Sequence, residues 1–210
     1  IRDRFQYIWV WMGDAGKADE SLLPDWQVME DPEWAVVKGD PPFRIPCHYE
    51  LFNDNLLDLS HLAYVHINNI GTSTVPDFPI VTTKTENTVR MIRWIMDSPP
   101  APLYARFGGF VDNIDRWQYA EAMVPSYNTV RVGCLPAGCG AQPGDHPDDF
   151  AVGSGGRDAQ GFEFYNLNAI TPETENTTWY FYAHSRNFAQ DDPNMDESLA
   201  ASCAAFFKRT

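Results

Sequence analysis

The thirteen residues from Asp54 to His66 constrain this chain more than any other stretch. The run Asp54-Asn55-Leu56-Leu57-Asp58-Leu59-Ser60-His61-Leu62-Ala63-Tyr64-Val65-His66 sets two imidazoles, two carboxylates and an amide on a segment otherwise patterned as buried apolar helix. Leu51, Leu56, Leu59, Leu62 and Ala63 recur with an approximate helical period, which predicts one helix over Glu50–Tyr64. On that helix Asp54, Asp58 and His61 fall at i, i+4 and i+7, a single stripe with Asn55 beside it. His66 lies five residues beyond His61, about 140° further round an unbroken helix. The helix must therefore end or bend near Tyr64 for both rings to meet one ion, and Asn68-Asn69-Ile70-Gly71 supplies a stop. Buried carboxylates on such a face are costly unless tied to a cation or to a metal ligand. Neutral imidazole is the commonest transition-metal ligand, and two His with one carboxylate is the set used by non-haem Fe(II) oxygenases. Asp58, one turn before His61, is placed to fix the tautomer of a ligating ring.

The rest of the chain reads mainly as strand. Tyr7–Met12 and Trp34–Lys38 are short strands separated by an acidic loop over 13–33, and Phe43–Tyr49 is an edge interrupted by Pro46. Pro79–Glu86 and Thr88–Met96 form a hairpin around Glu86-Asn87, and Asp97–Pro102 is a Pro-rich break. Arg116–Met123 pairs with Asn128–Leu135, and Gly161–Ile170 with Thr177–Asn187. A long Gly- and Pro-rich loop covers 137–160, and Asp191-Asp192-Pro193-Asn194 caps a last helix from about Met195. This order predicts an α+β fold, a curved antiparallel sheet with helices on one face.

Composition narrows the function classes. The 210 residues carry a formal net charge of −14, so the basic footprint of a nucleic-acid binder is missing, and adhesion to an anionic membrane is disfavoured. No apolar run approaches the ~20 residues of a spanning helix, and no leader pattern opens the chain, so the expected location is the cytoplasm. Cys47, Cys134, Cys139 and Cys203 match no zinc or iron–sulfur spacing and read as free thiols. His184 reads as a sheet residue, His146 as a solvated loop residue and His48 as an edge residue with no evident partner.

Asn55-x2-Asp58-x2-His61-x4-His66, followed by Ile70-Gly71, resembles the mononuclear-iron motif of Rieske non-haem iron oxygenases, in particular the vanillate O-demethylase and dicamba monooxygenase branch. Ile8-Trp9-Val10-Trp11-Met12-Gly13-Asp14, Asp115-Arg116-Trp117, Ile170-Thr171-Pro172-Glu173-Thr174 and Ser185-Arg186-Asn187-Phe188 resemble further landmarks in the same order, so the likeness spans nearly the whole chain. The resemblance implies a helix-grip sheet, with His61 and His66 as ligands of a mononuclear Fe(II). It implies Asp58 as the bridging carboxylate that carries electrons from a Rieske cluster on a neighbouring subunit, and Asn55 as a polar residue near the iron. It places a substrate-contacting polar side chain at Asn168. The implied reaction is O2-dependent hydroxylation of an aromatic substrate, in particular oxidative O-demethylation of a methoxy-aromatic acid. The implied partners are a ferredoxin or reductase that delivers electrons from NAD(P)H, and two further copies in a homotrimer.

Two departures accompany the likeness. The cluster-binding Cys-x-His and Cys-x2-His pair is missing, since Cys47-His48 is adjacent and the other cysteines have no His at the needed offset. The family's third ligand, an Asp on the last helix, is expected just beyond Thr210, because Asp196 sits too early in that helix to be assigned. Residues 1–40 are therefore expected to be the remnant of a junction with an N-terminal Rieske domain, and 41–210 a catalytic domain cut short at its end. The apolar opening strand and a last segment with helical character and no stop agree with a fragment. Two alternatives remain: a helix-grip domain that binds a small molecule without catalysis, and another Rieske oxygenase reaction, ring hydroxylation or N-demethylation.

Overall fold

The computed structural model describes residues 1–67, 70–150, 161–192 and 194–199. Asn68, Asn69, residues 151–160 of the long loop, Pro193 and residues 200–210, among them Cys203, lie outside the described residues, and so does that part of the expected last helix. The order is β1 (Arg2–Arg4), β2 (Tyr7–Trp9), β3 (Ala35–Lys38), β4 (Phe43–Ile45), α1 (Tyr49–Leu57), α2 (Leu62–Val65), β5 (Val81–Lys84), β6 (Val89–Ser98), α3 (Pro102–Gly108), β7 (Ile114–Met123), β8 (Tyr127–Pro136), β9 (Phe162–Thr174) and β10 (Thr177–Arg186). A final helix, α4, covers 194–199.

Eight strands form one antiparallel sheet in the order β3-β10-β9-β8-β7-β6-β5, with β4 also paired to β10. Register fixes which side chains share a face, because residues directly opposite one another point the same way. Arg93, Gln118, Val132, Phe164 and Arg186 form one such row, and Ala120, Val130, Asn166 and His184 another. Both rows lie on the side that carries the helices. Phe52 and Leu56 of α1 pack there on Ile170, Tyr180 and Tyr182, Ala63 of α2 packs with Ile95, and Tyr104 of α3 stacks with Phe162. The opposite face is covered by Phe5, Trp26 and Met29 near one end and by Ala141 and Phe150 near the other. The expected α+β sheet with helices on one face is what the chain builds.

Three local expectations need correction. The Tyr7–Met12 strand stops at Trp9 and pairs with β1, which was not expected. The turn between them is Phe5-Gln6, both at positive φ (55° and 59°), a hairpin turn that carries no Asn-Gly signal. The segment after Asp97 is not simply a break, since Pro102 opens α3 and Gly109 closes it in the left-handed region. Most importantly, the single helix over Glu50–Tyr64 is two helices. Asp58 leaves helical backbone (φ −73°, ψ 90°), and its Oδ1 accepts from the backbone N–H of Ser60 (2.7 Å) and His61 (3.3 Å). A short carboxylate that bonds its own backbone two residues on competes with the helical ladder. The stripe expected for Asp54, Asp58 and His61 therefore does not form, and Asp54 is exposed.

Candidate metal centre

The bend that the two imidazoles require falls at Asp58–Ser60, a turn earlier than expected. His61 immediately precedes α2 and His66 immediately follows it, so the helix is only as long as the gap between them. Their ring centroids lie 5.0 Å apart with the planes at 73°. Two imidazoles that share one ion through bonds of about 2.1 Å, at roughly 90–110° to each other, have centroids about 4.6–5.3 Å apart. Nδ1 of His61 is buried without a hydrogen-bond partner and sits 3.6 Å from Oδ2 of Asp58, whose side chain is half exposed. Burial, with a smaller contribution from the neighbouring His61, pushes the His66 imidazole below its ordinary pKa, which favours the neutral ring a metal needs. The donor set therefore fits a transition metal. Among the described residues no group of three or more His, Cys, Asp and Glu side chains completes a metal site.

Asn55 is exposed on α1, three residues before Asp58. Asn168 is buried, and its amide is committed inside the sheet. Nδ2 donates to the Asn128 carbonyl (2.8 Å) and the Asn166 carbonyl (3.2 Å), while Oδ1 accepts from the Tyr180 hydroxyl (2.6 Å). Asp196 forms an ion pair with Arg186 at 2.5 Å. His184 is a sheet residue on the helix side, 5.2 Å from Phe164 ring to ring, and burial lowers its pKa to about 4. His146 and His48 differ from expectation. His146 packs edge-on against Tyr119, its ring 3.2 Å from Asp148, and His48 caps α1 by accepting from the Glu50 N–H.

Sequence reasoning missed the residues that hold the 58–72 segment on the sheet. Arg93 Nη1 donates to the Leu59 carbonyl at 3.0 Å. Arg116 donates from Nη1 to the Ile70 carbonyl (3.0 Å) and from Nη2 to Thr72 Oγ1 (2.7 Å). Ile70 and Gly71 both donate to the His66 carbonyl, and a Cβ at Gly71 would lie 2.0 Å from the Leu62 carbonyl oxygen. A charged residue inside an apolar strand was the available signal for Arg93. Arg116 stood inside the quoted Asp115-Arg116-Trp117 landmark without a role.

The curved antiparallel sheet with helices on one face is the catalytic-domain fold of a Rieske non-haem iron oxygenase. The chain belongs to the vanillate O-demethylase oxygenase C-terminal domain family, whose model matches residues 45–209. It is 35% identical over 212 residues to the vanillate O-demethylase oxygenase subunit of Pseudomonas sp. (strain ATCC 19151), covering 98% of this chain and 60% of that protein. The crystal structure of dicamba monooxygenase bound to 3,6-dichlorosalicylic acid matches with a TM-score of 0.81 at 29% identity, covering 97% of this chain and 54% of that one. Dicamba monooxygenase with non-haem iron and dicamba matches with a TM-score of 0.70 at 26% identity, covering 93% and 50%. The chain thus spans half to three-fifths of the length of these proteins. Among the described residues no helix is long and apolar enough to cross a membrane.

Proposed function

We propose that this chain is the catalytic half of a Rieske-type mono-oxygenase whose reaction is oxidative O-demethylation of a methoxy-aromatic acid. The observation that carries the reading is the His61–His66 pair, 5.0 Å apart across a helix break and flanked by Asp58, in a chain of the vanillate O-demethylase family. In balance, one methoxy group, O2, NAD(P)H and a proton give a phenol, formaldehyde, water and NAD(P)+. Ferrous iron, when bound, supplies the redox chemistry with O2 that side chains lack.

His61 and His66 hold the ion, together with an Asp beyond Thr210. Nδ1 of His61 lies 3.6 Å from Oδ2 of Asp58, so Nε2 would be its ligating atom. Asp58, half exposed, links His61 to a cluster histidine on a neighbouring subunit, and Asn55, exposed on α1, is the polar residue near the iron. The aromatic ring rests on the helix side of the sheet, where Val130, Val132 and Asn166 keep partial exposure at its centre. Asn166 brings a polar group to that surface, while His184, directly opposite it, and Asn168 lie buried on the same face. Residues 1–40 join 41–210 to a Rieske domain outside this chain. A homotrimer in the cytoplasm, served by a reductase or ferredoxin, completes the proposal.

The test uses the full-length protein. Iron analysis of His61→Ala is expected to show the mononuclear iron lost with the circular dichroism spectrum unchanged. Wild-type protein with reductase and a methoxybenzoate is expected to release formaldehyde. Unchanged iron content in His61→Ala would remove the assignment.

A further inference from the structure

We propose that Arg93 is a positioning residue for the Asp58–His61 pair, setting the spacing between the bridging carboxylate and the ligating ring. The inference rests on the iron reading above. Arg93 sits in the middle of β6, directly opposite Gln118 on β7, and is 4% exposed. Its Nη1 reaches up to the Leu59 carbonyl at 3.0 Å and Nη2 to Ser60 Oγ at 3.5 Å. Leu59 and Ser60 are the two residues between Asp58 and His61. Leu59 also turns its own side chain into the core, where it is 2% exposed. Asp58 Oδ1 accepts from the N–H groups of Ser60 and His61, so the whole corner is one closed turn. Arg93 ties that turn to the sheet.

The guanidinium is an expensive choice for this purpose. Its Nε is buried with no hydrogen-bond partner, and burial disfavours its charge. The opposing influence is the carboxylate of Asp58. A Met or Leu of similar volume would fill the same space without an unmade bond. What an apolar residue cannot do is hold a carbonyl and a hydroxyl of the turn at once. A two-point fork fixes both position and rotation of the turn, and thereby which oxygen of Asp58 faces Nδ1 of His61.

The test compares Arg93→Met and Arg93→Lys with wild type in the full-length protein. Groups outside the ligand shell that orient it alter metal affinity by about 10–100-fold, so Arg93→Met is expected to weaken Fe(II) binding by that factor. Single-turnover electron transfer from the reduced cluster to the iron is expected to slow by a similar factor, while the cluster's visible spectrum is unchanged. The EPR spectrum of the ferrous protein with nitric oxide is expected to shift, since it reports ligand geometry. Arg93→Lys, which keeps the charge and one donor, is expected to fall between the two. A residue of merely structural importance would lower Tm and leave affinity, transfer rate and EPR spectrum alone, and that result would overturn the proposal. If Arg93→Met does not fold, Arg93→Lys decides: a measurable loss supports the role, and wild-type values overturn it. Wild-type protein that takes up no ferrous iron would instead remove the iron reading, and this inference with it.

Discussion

Asp58 hydrogen-bonds the backbone of the very residue whose ring it faces. Oδ1 accepts from the N–H of His61 at 3.3 Å, while Oδ2 stands 3.6 Å from Nδ1 of the same side chain. One carboxylate therefore makes the bonds at the helix break and stands beside the first of the two rings that converge there.

Substitution at Asp58 separates these roles. Asp58→Asn retains an oxygen for the turn and loses the charge, so the fold and the iron are expected to remain while turnover falls. Asp58→Ala removes the turn bonds as well, at a cost of about 1 kcal/mol of stability per bond lost. Denaturant unfolding and steady-state formaldehyde release check both. Surviving turnover in the two variants would mean that electrons reach the iron by another route.

Gly71 has no room for a side chain. A Cβ would stand 2.0 Å from the Leu62 carbonyl oxygen, which is backbone and fixed by α2. Gly71→Ala is expected to destabilise by about 3 kcal/mol and to weaken metal binding, because relief of the clash must move the segment between the two imidazoles. Thermal unfolding and an iron titration measure the two effects. Wild-type values for both would show that the close approach does not persist in solution.

Acid is expected to destabilise the sheet through His184. Burial lowers its pKa to about 4, against an ordinary value of 6.5. Between those values the unfolded chain binds more protons than the folded one, so stability rises with pH across the window. His184 therefore costs nothing above about pH 6.5, and stability falls as pH drops toward 4, by about 3 kcal/mol in total. The pH dependence of urea unfolding is expected to be shallower in His184→Phe. An identical slope would assign the acid sensitivity to other groups.

On the opposite face, Arg131 and Glu163 are both nearly buried and form an ion pair at 2.7 Å, with Asp148 as a second partner of Arg131. Arg131→Met leaves Glu163 as a buried carboxylate without its partner and is expected to cost about 3–5 kcal/mol. Burial already raises the Glu163 pKa, so the variant is expected to take up a proton there. Arg131→Met combined with Glu163→Gln is expected to recover much of the loss. A double variant no more stable than Arg131→Met alone would show that the pair is not the source of the cost.

Much of the fold was legible because the long strands alternate or run apolar between turn residues. β5 through β10 appear where Pro79–Glu86, Thr88–Met96, Arg116–Met123, Asn128–Leu135, Gly161–Ile170 and Thr177–Asn187 predict them. The Phe5-Gln6 turn was not legible, since neither residue is one that ordinarily adopts positive φ, and Phe5 is held there by burial against Trp26 and Met29. The helix break at Asp58 was not legible either. Apolar periodicity continues straight through it, and the competing bonds from Asp58 to Ser60 and His61 leave no mark in the period.

The residue types from Asp54 to His66 set two imidazoles and two carboxylates on one short segment, and the resemblance they carry suggested the chemistry. Those are local properties, written into a dozen consecutive positions. How the segment is held against the sheet was decided only when β6 and β7 brought Arg93 and Arg116 beneath it. Those two arginines lie 34 residues from Leu59 and 46 from Ile70 in sequence. No local pattern could report them, because the hydrogen bonds that fix the site cross from sheet to loop and exist only once the sheet has formed.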